Sequence, residues 1–254
     1  MFFCRCVCII VLLYNSFLFA VSFDLQKNMV LVRDGYYTPL FKTGSDFDDI
    51  YVQSFLIDMY PVTNEDFKSF VLSNPEWSKE NIKFVFADKD YLSHWDDFDF
   101  NVISSFPVVN VSWFVADAYC NFYGKRLPNI DEWEYISTNC YKDKYKYLQN
   151  VLDWYASRHS GNLISIASME KNCFDVYGVY GVIWEWVQDF NSVIILNTDA
   201  EGGGLEDVLY CGAVAINSID SSDYVAFMRY AFRNSLKAHY TINSLGFRCA
   251  KDIS

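Results

Sequence analysis

Between positions 106 and 137 the chain reads FPVVNVSWFVADAYCNFYGKRLPNIDEWEYIS, and this block constrains the fold more than any other. It encodes two helices and the break between them. Ser112 is placed to cap the first, and Trp113, Ala116, Cys120 and Tyr123 recur on one side at helical spacing. Gly124 suits the position just past its end, where a left-handed backbone closes many helices. Pro128-Asn129 restarts a helix. Asn129 caps it, Asp131 and Glu132 sit favourably in its first turn, and Trp133 and Tyr135 supply bulk.

Shorter elements flank this block. MVLVRDGYY (29–37) begins as a strand and turns at Asp34-Gly35, and QSFLIDMY (53–60) reads as another strand. Thr63 then caps a helix, Asp66 closes its capping box, and Phe67, Phe70 and Val71 form its apolar face. From 141 to 172 the pattern is loose and polar, with room for one short helix. YGVYGVIWEWVQDF (177–190) reads as a tight turn feeding a strand. DAEGGGLED (199–207) is a loop, VLYCGAVA (208–215) a strand, and AFMRYAFR (226–233) and LGFRCA (245–250) core strands. With 52% hydrophobic and 19% aromatic residues, a sizeable core is assured. No repeat or boundary divides the chain. The expectation is one mixed, loop-rich α+β domain over 23–254.

Residues 1–22 read as an export signal. Arg5 precedes an apolar run from Val7 to Val21, too short for the roughly 20 residues of a membrane span. Ala20-Val21-Ser22 suits cleavage after Ser22. The expected location is secreted or periplasmic, with membrane contact only if the signal stays attached. A formal charge of −12 argues against nucleic acid and anionic membranes as partners.

After signal removal five cysteines remain, Cys120, Cys140, Cys173, Cys211 and Cys249. In an oxidising compartment they tend to pair, and their wide spacing lacks the pattern of a zinc site. His94, His159 and His239 stand far apart and read as surface or hydrogen-bonded histidines rather than ligands. HWDDFDF (94–100) reads as a solvated acidic loop.

Together these blocks resemble the formylglycine-generating enzyme, or sulfatase-modifying factor, family. The resemblance rests on FLIDMYPVTNEDFKSFV, on the 106–137 block as far as DEWEY, on GVYGVIWEWV, and on RYAFR followed by LGFRCA, in the family's order. It implies a C-type-lectin-like α+β fold and a disulfide between Cys120 and Cys249. It also implies a groove in which Trp184, Cys211, Ala213, Val225 and Tyr230 occupy family positions. Members that oxidise a substrate cysteine hold copper(I) with a cysteine pair, and soft thiolates suit that ion. Here the interval 212–230 contains no cysteine. One thiol position falls on Val225, the other between Ile216 and Asp220, so copper is not expected. An oxidase using other thiols would have only Cys173 and Cys211. A second family bridge is lost at both its ends, Ser137 and Tyr230. One calcium site would use Glu185 with the carbonyls of Gly181 and Ile183, but its earlier side chain falls on Gly178. A second site would begin at Asn162. For Glu185 the alternative is a buried acid accepting hydrogen bonds. The expected function is that of a non-catalytic binding or accessory protein whose partner is a protein, peptide or glycan of the cell envelope. The alternative is an oxidoreductase making formylglycine, or other chemistry in the same groove.

Overall fold

Thr63 starts the first helix, α1 (Asn64–Ser73), through a reciprocal pair of bonds. Its hydroxyl accepts from the Asp66 amide at 3.2 Å, and Asp66 accepts from the Thr63 amide at 3.3 Å. Phe67 and Phe70 on this helix are fully buried. The structure, a computed structural model, describes residues 28–38, 49–138, 151–154, 164–179, 181–191 and 221–253, the side chains of 221–227 excepted. The signal segment, the strand expected at 208–215, Asn162, Cys211 and Ala213 lie outside the described residues.

Three strands bring the two ends of the described chain together. β1 (Met29–Val32) and β7 (Ala250–Asp252) flank β4 (Phe55–Asp58), all antiparallel, with Val30 opposite Ile57 and Ile57 opposite Ala250. Between β1 and β4 runs a ribbon of β2 (Gly35–Tyr37) and β3 (Ile50–Val52). A parallel pair joins β5 (Trp184–Glu185) to β6 (Leu245–Gly246).

Two four-residue helices, α2 (His94–Asp97) and α3 (Phe100–Ile103), precede the two that the 106–137 block encodes. α4 (Trp113–Phe122) has Ser112 as its cap, and Gly124 follows with φ +65°. α5 (Ile130–Thr138) is entered through Asn129 and Glu132, which cap each other's amides at 2.7 and 2.9 Å. Cys120 on α4 is joined by a disulfide to Cys249, beside β7, with Cα atoms 5.6 Å apart. The bridge closes 129 residues and stabilises by about 5 kcal/mol in the chain-entropy picture. The result is an α+β domain rich in loops, packed on one main core.

The segment 226–233 departs from expectation. It is not a core strand but part of α6 (Ser221–Ser235). Its aromatic residues favour strands by local propensity, yet Arg229 and Arg233 both bind Glu134. On a helix, residues four apart are neighbours at about 6 Å. On a strand they would stand about 13 Å apart and could not share one carboxylate. LGFRCA likewise forms no single strand. It opens as β6 and ends where β7 begins, with Phe247, Arg248 and Cys249 buried between.

Candidate functional site

The turn before β5 uses two glycines with left-handed backbone, Gly178 at φ +63° and Gly181 at φ +72°. It delivers Ile183, Trp184 and Glu185 to a shallow, partly open cleft whose cavity volume is about 20 Å³. Trp184 stacks on Phe232 of α6 at 4.2 Å, and Trp154 meets Trp184 edge-on at 5.4 Å. Trp133 of α5 also lines the cleft, with the Arg233 guanidinium 4.9 Å from its ring centre.

Charged groups at the cleft are compensated from within. Glu134 is buried and takes Arg229 Nη2 at 2.6 Å and Arg233 Nη1 at 2.6 Å. Burial pushes its carboxyl upward, but the two arginines outweigh burial and hold it below the usual glutamate value. Glu185 is paired with Arg248, whose Nε and Nη2 reach its two oxygens at 2.8 and 2.7 Å. Trp133 Nε1 donates a third bond to Glu185, at 3.0 Å. With both carboxylates saturated, the space offered to a ligand is chiefly aromatic and aliphatic.

Of the residues singled out in the sequence, Trp184, Glu185, Gly181 and Ile183 converge on the cleft. Trp184 is largely buried there, both a packed residue of the turn and a wall. Tyr230 does not line the cleft. It is half-buried, and burial first, then Glu134, pushes its hydroxyl upward. Ser137, its counterpart in the lost family bridge, is buried and donates to the Glu134 carbonyl at 2.8 Å. Val225 lies one helical turn before Arg229 on α6, with its side chain outside the described residues.

A calcium ion at the turn fits these residues poorly. It would share with a guanidinium a Glu185 carboxylate that is itself fully buried. The hydrogen-bonded alternative describes Glu185 as the structure has it. Copper(I) meets no described thiol, because Cys120, Cys173 and Cys249 are all disulfide-bonded. Cys211, the other half of the pair nominated for an oxidase, lies outside the described residues. Among the described residues no cluster of three histidines, cysteines or acids is arranged for a metal.

Sequence reasoning missed Trp133, Trp154, Glu134, Phe232 and the arginines. One signal was available: Arg229 and Arg233 stand at i and i+4, the spacing of a helix face.

A model of the sulfatase-modifying factor enzyme 1-like domain matches residues 21–253. The chain is 26% identical over 252 residues to the formylglycine-generating enzyme of Mus musculus, covering 79% of this chain and 67% of that one. It is 25% identical over 250 residues to the inactive C-alpha-formylglycine-generating enzyme 2 of the same species, covering 80% and 76%. A similar match, 25% over 230 residues, reaches the serine/threonine-protein kinase pkn1 of Chlamydia caviae. It covers 81% of this chain but only 34% of the kinase, so the chain spans about a third of that relative's length.

Proposed function

The chain belongs to the sulfatase-modifying factor enzyme 1-like family, and from that premise we propose that it is an exported, non-catalytic member that acts as a binding or accessory protein of the cell envelope. The observation that carries this reading is the 212–230 interval. It contains no cysteine, and its end lies on α6, which presents Arg229 and Phe232 to the cleft. Formylglycine formation needs thiolates that hold copper(I), and oxygen or hydrocarbon groups do not replace them. A relative, the inactive C-alpha-formylglycine-generating enzyme 2 of Mus musculus, supports the reading that the family's scaffold outlives its chemistry. The apolar run at 7–21 supports export.

The ligand surface in this reading is the cleft between Trp154, Trp184 and Phe232. Aromatic walls with internally paired charges offer an apolar edge to a peptide or glycan lying across them rather than an enclosed site for a free ion. The partner is a protein, peptide or glycan of the envelope.

The test is capture on immobilised residues 23–254 from a detergent-solubilised envelope extract. A single partner retained in stoichiometric amount, and lost with Trp184→Ala, supports the reading. In parallel, the chain is loaded with copper(I) and offered a cysteine peptide. Conversion of that peptide to formylglycine overturns it.

A further inference from the structure

The Asn64 side chain is the buried polar anchor of the segment from Leu92 to Pro107, beside backbone bonds from the Asn64 amide to the Phe106 carbonyl at 2.9 Å, from Glu65 to Ser104 at 3.0 Å and from Leu92 to Asn110 at 2.9 Å. Asn64 Nδ2 donates to the carbonyls of Ile103 at 2.9 Å, Phe106 at 3.1 Å and Pro107 at 3.4 Å. Its Oδ1 accepts from Trp95 Nε1 at 2.8 Å and lies 2.8 Å from His94 Nε2. An amide oxygen only accepts, so Nε2 carries the imidazole proton and Nδ1 carries the lone pair. His94 is 6% exposed, and its Nδ1 is buried with no hydrogen-bond partner.

The charges facing this ring are Lys79, from the segment after α1, and Asp96, from its own helix. They pair with each other, and Lys79 also reaches the Leu92 carbonyl at 3.5 Å. Neither is left over to neutralise an imidazolium. Two residues before His94, fully buried Leu92 holds φ at +49°, a left-handed conformation that is strained for a non-glycine residue.

We infer that His94 is an acid-sensitive latch, and that protonation of its Nδ1 releases the 92–107 segment from Asn64. The step takes one proton from solvent and breaks no covalent bond. The new N–H meets no acceptor in the closed segment, and the charge is hydrated only when the segment swings out. Burial and then Lys79 hold the closed imidazole down at about 4, against an ordinary value of 6.5 in the open state. The open state therefore binds the proton at the higher pH. Acid draws the equilibrium toward opening by up to about tenfold per pH unit between those two values. Opening also frees the turn at Ile166–Ser168, which docks on Ser105 through the Ile166 amide at 3.0 Å. This inference is independent of what the cleft binds.

Amide hydrogen exchange on the full chain, corrected for the intrinsic pH dependence of exchange, reads the latch. Protection across 93–107 is expected to fall steeply from pH 6.5 to pH 4 while β4 stays protected. His94→Gln keeps an N–H for Asn64 and cannot ionise, so it should flatten that slope. A flat wild-type profile, an unchanged slope in His94→Gln, or parallel loss of protection in β4 would overturn the latch. Should His94→Gln fail to fold, titration of the wild-type His94 ring by NMR decides. A value near 6.5 with the segment still protected overturns the inference, and a depressed value coupled to opening supports it.

Discussion

Arg248 and Glu185, 63 positions apart, form a bidentate pair with neither side chain exposed to solvent. Arg248 also donates to the carbonyls of Asp58, Met59 and Tyr177. One guanidinium thus ties the end of β4, the glycine turn and the β6–β7 connection. Removing it strands a carboxylate in the core. Arg248→Met is expected to cost about 3–5 kcal/mol in urea denaturation. The double change Glu185→Leu with Arg248→Met should cost less than the single one, because it leaves no unpaired charge.

The Cys120–Cys249 bridge constrains the unfolded chain more than the folded one, because both sulfurs sit in a packed core. Cys120→Ala should lower stability by up to about 5 kcal/mol. Adding reductant should destabilise the wild type under denaturing conditions and leave this pair's effect absent in the variant. Denaturant midpoints measured with and without reductant check it.

The Glu134 triad predicts an acid limb of stability. The carboxyl is held below its unfolded value by Arg229 and Arg233 despite burial. Its contribution is therefore full above the ordinary glutamate value of about 4.5 and is lost as pH falls through the lower folded value. His94 acts at higher pH, from 6.5 down to about 4. Melting temperature against pH should show both, and His94→Gln should remove the upper part alone. Glu134→Gln should cost about 3 kcal/mol or more at pH 7, since it leaves two buried arginines without their anion.

Two glycines separate a steric requirement from a conformational one. A Cβ on Gly246 would stand 2.2 Å from the Val108 carbonyl oxygen and 2.9 Å from Ile183 Cδ1. The nearer atom is backbone and cannot swing away, so Gly246→Ala should cost at least about 2 kcal/mol. A Cβ on Gly124 meets nothing within 4 Å, and only its φ of +65° resists substitution. Gly124→Ala should cost about 1 kcal/mol. Thermal melts of the two variants decide the order.

Capping signals read well from sequence because they span three or four residues. Thr63 with Asp66, Ser112, Gly124, and Asn129 with Glu132 each announce a helix end through bonds made inside that short window. The strands at 29–32 and 55–58 were legible for a similar reason, a compact apolar run beside a turn. The family resemblance rests on these same blocks, so the fold class was visible too.

Residues 226–233 show where such reading stops. Their composition favours a strand, while Glu134, 95 and 99 positions away from its two arginines, demands a helix. Glu185 was equally undecided between a cation ligand and a buried hydrogen-bonded acid, until Arg248 was seen to occupy it. The missing thiols between 212 and 230 were plain in the sequence, because absence of a residue type needs no coordinates. The aromatic cleft and the His94 latch were not. Each is made by elements distant along the chain, and the free energy of a buried charge depends on which partners the packing brings to it. Sequence alone determined the local breaks, the family's scaffold and the loss of its cysteine pair. Tertiary structure decided which buried ions are paired, because partner choice is a matter of distance in space.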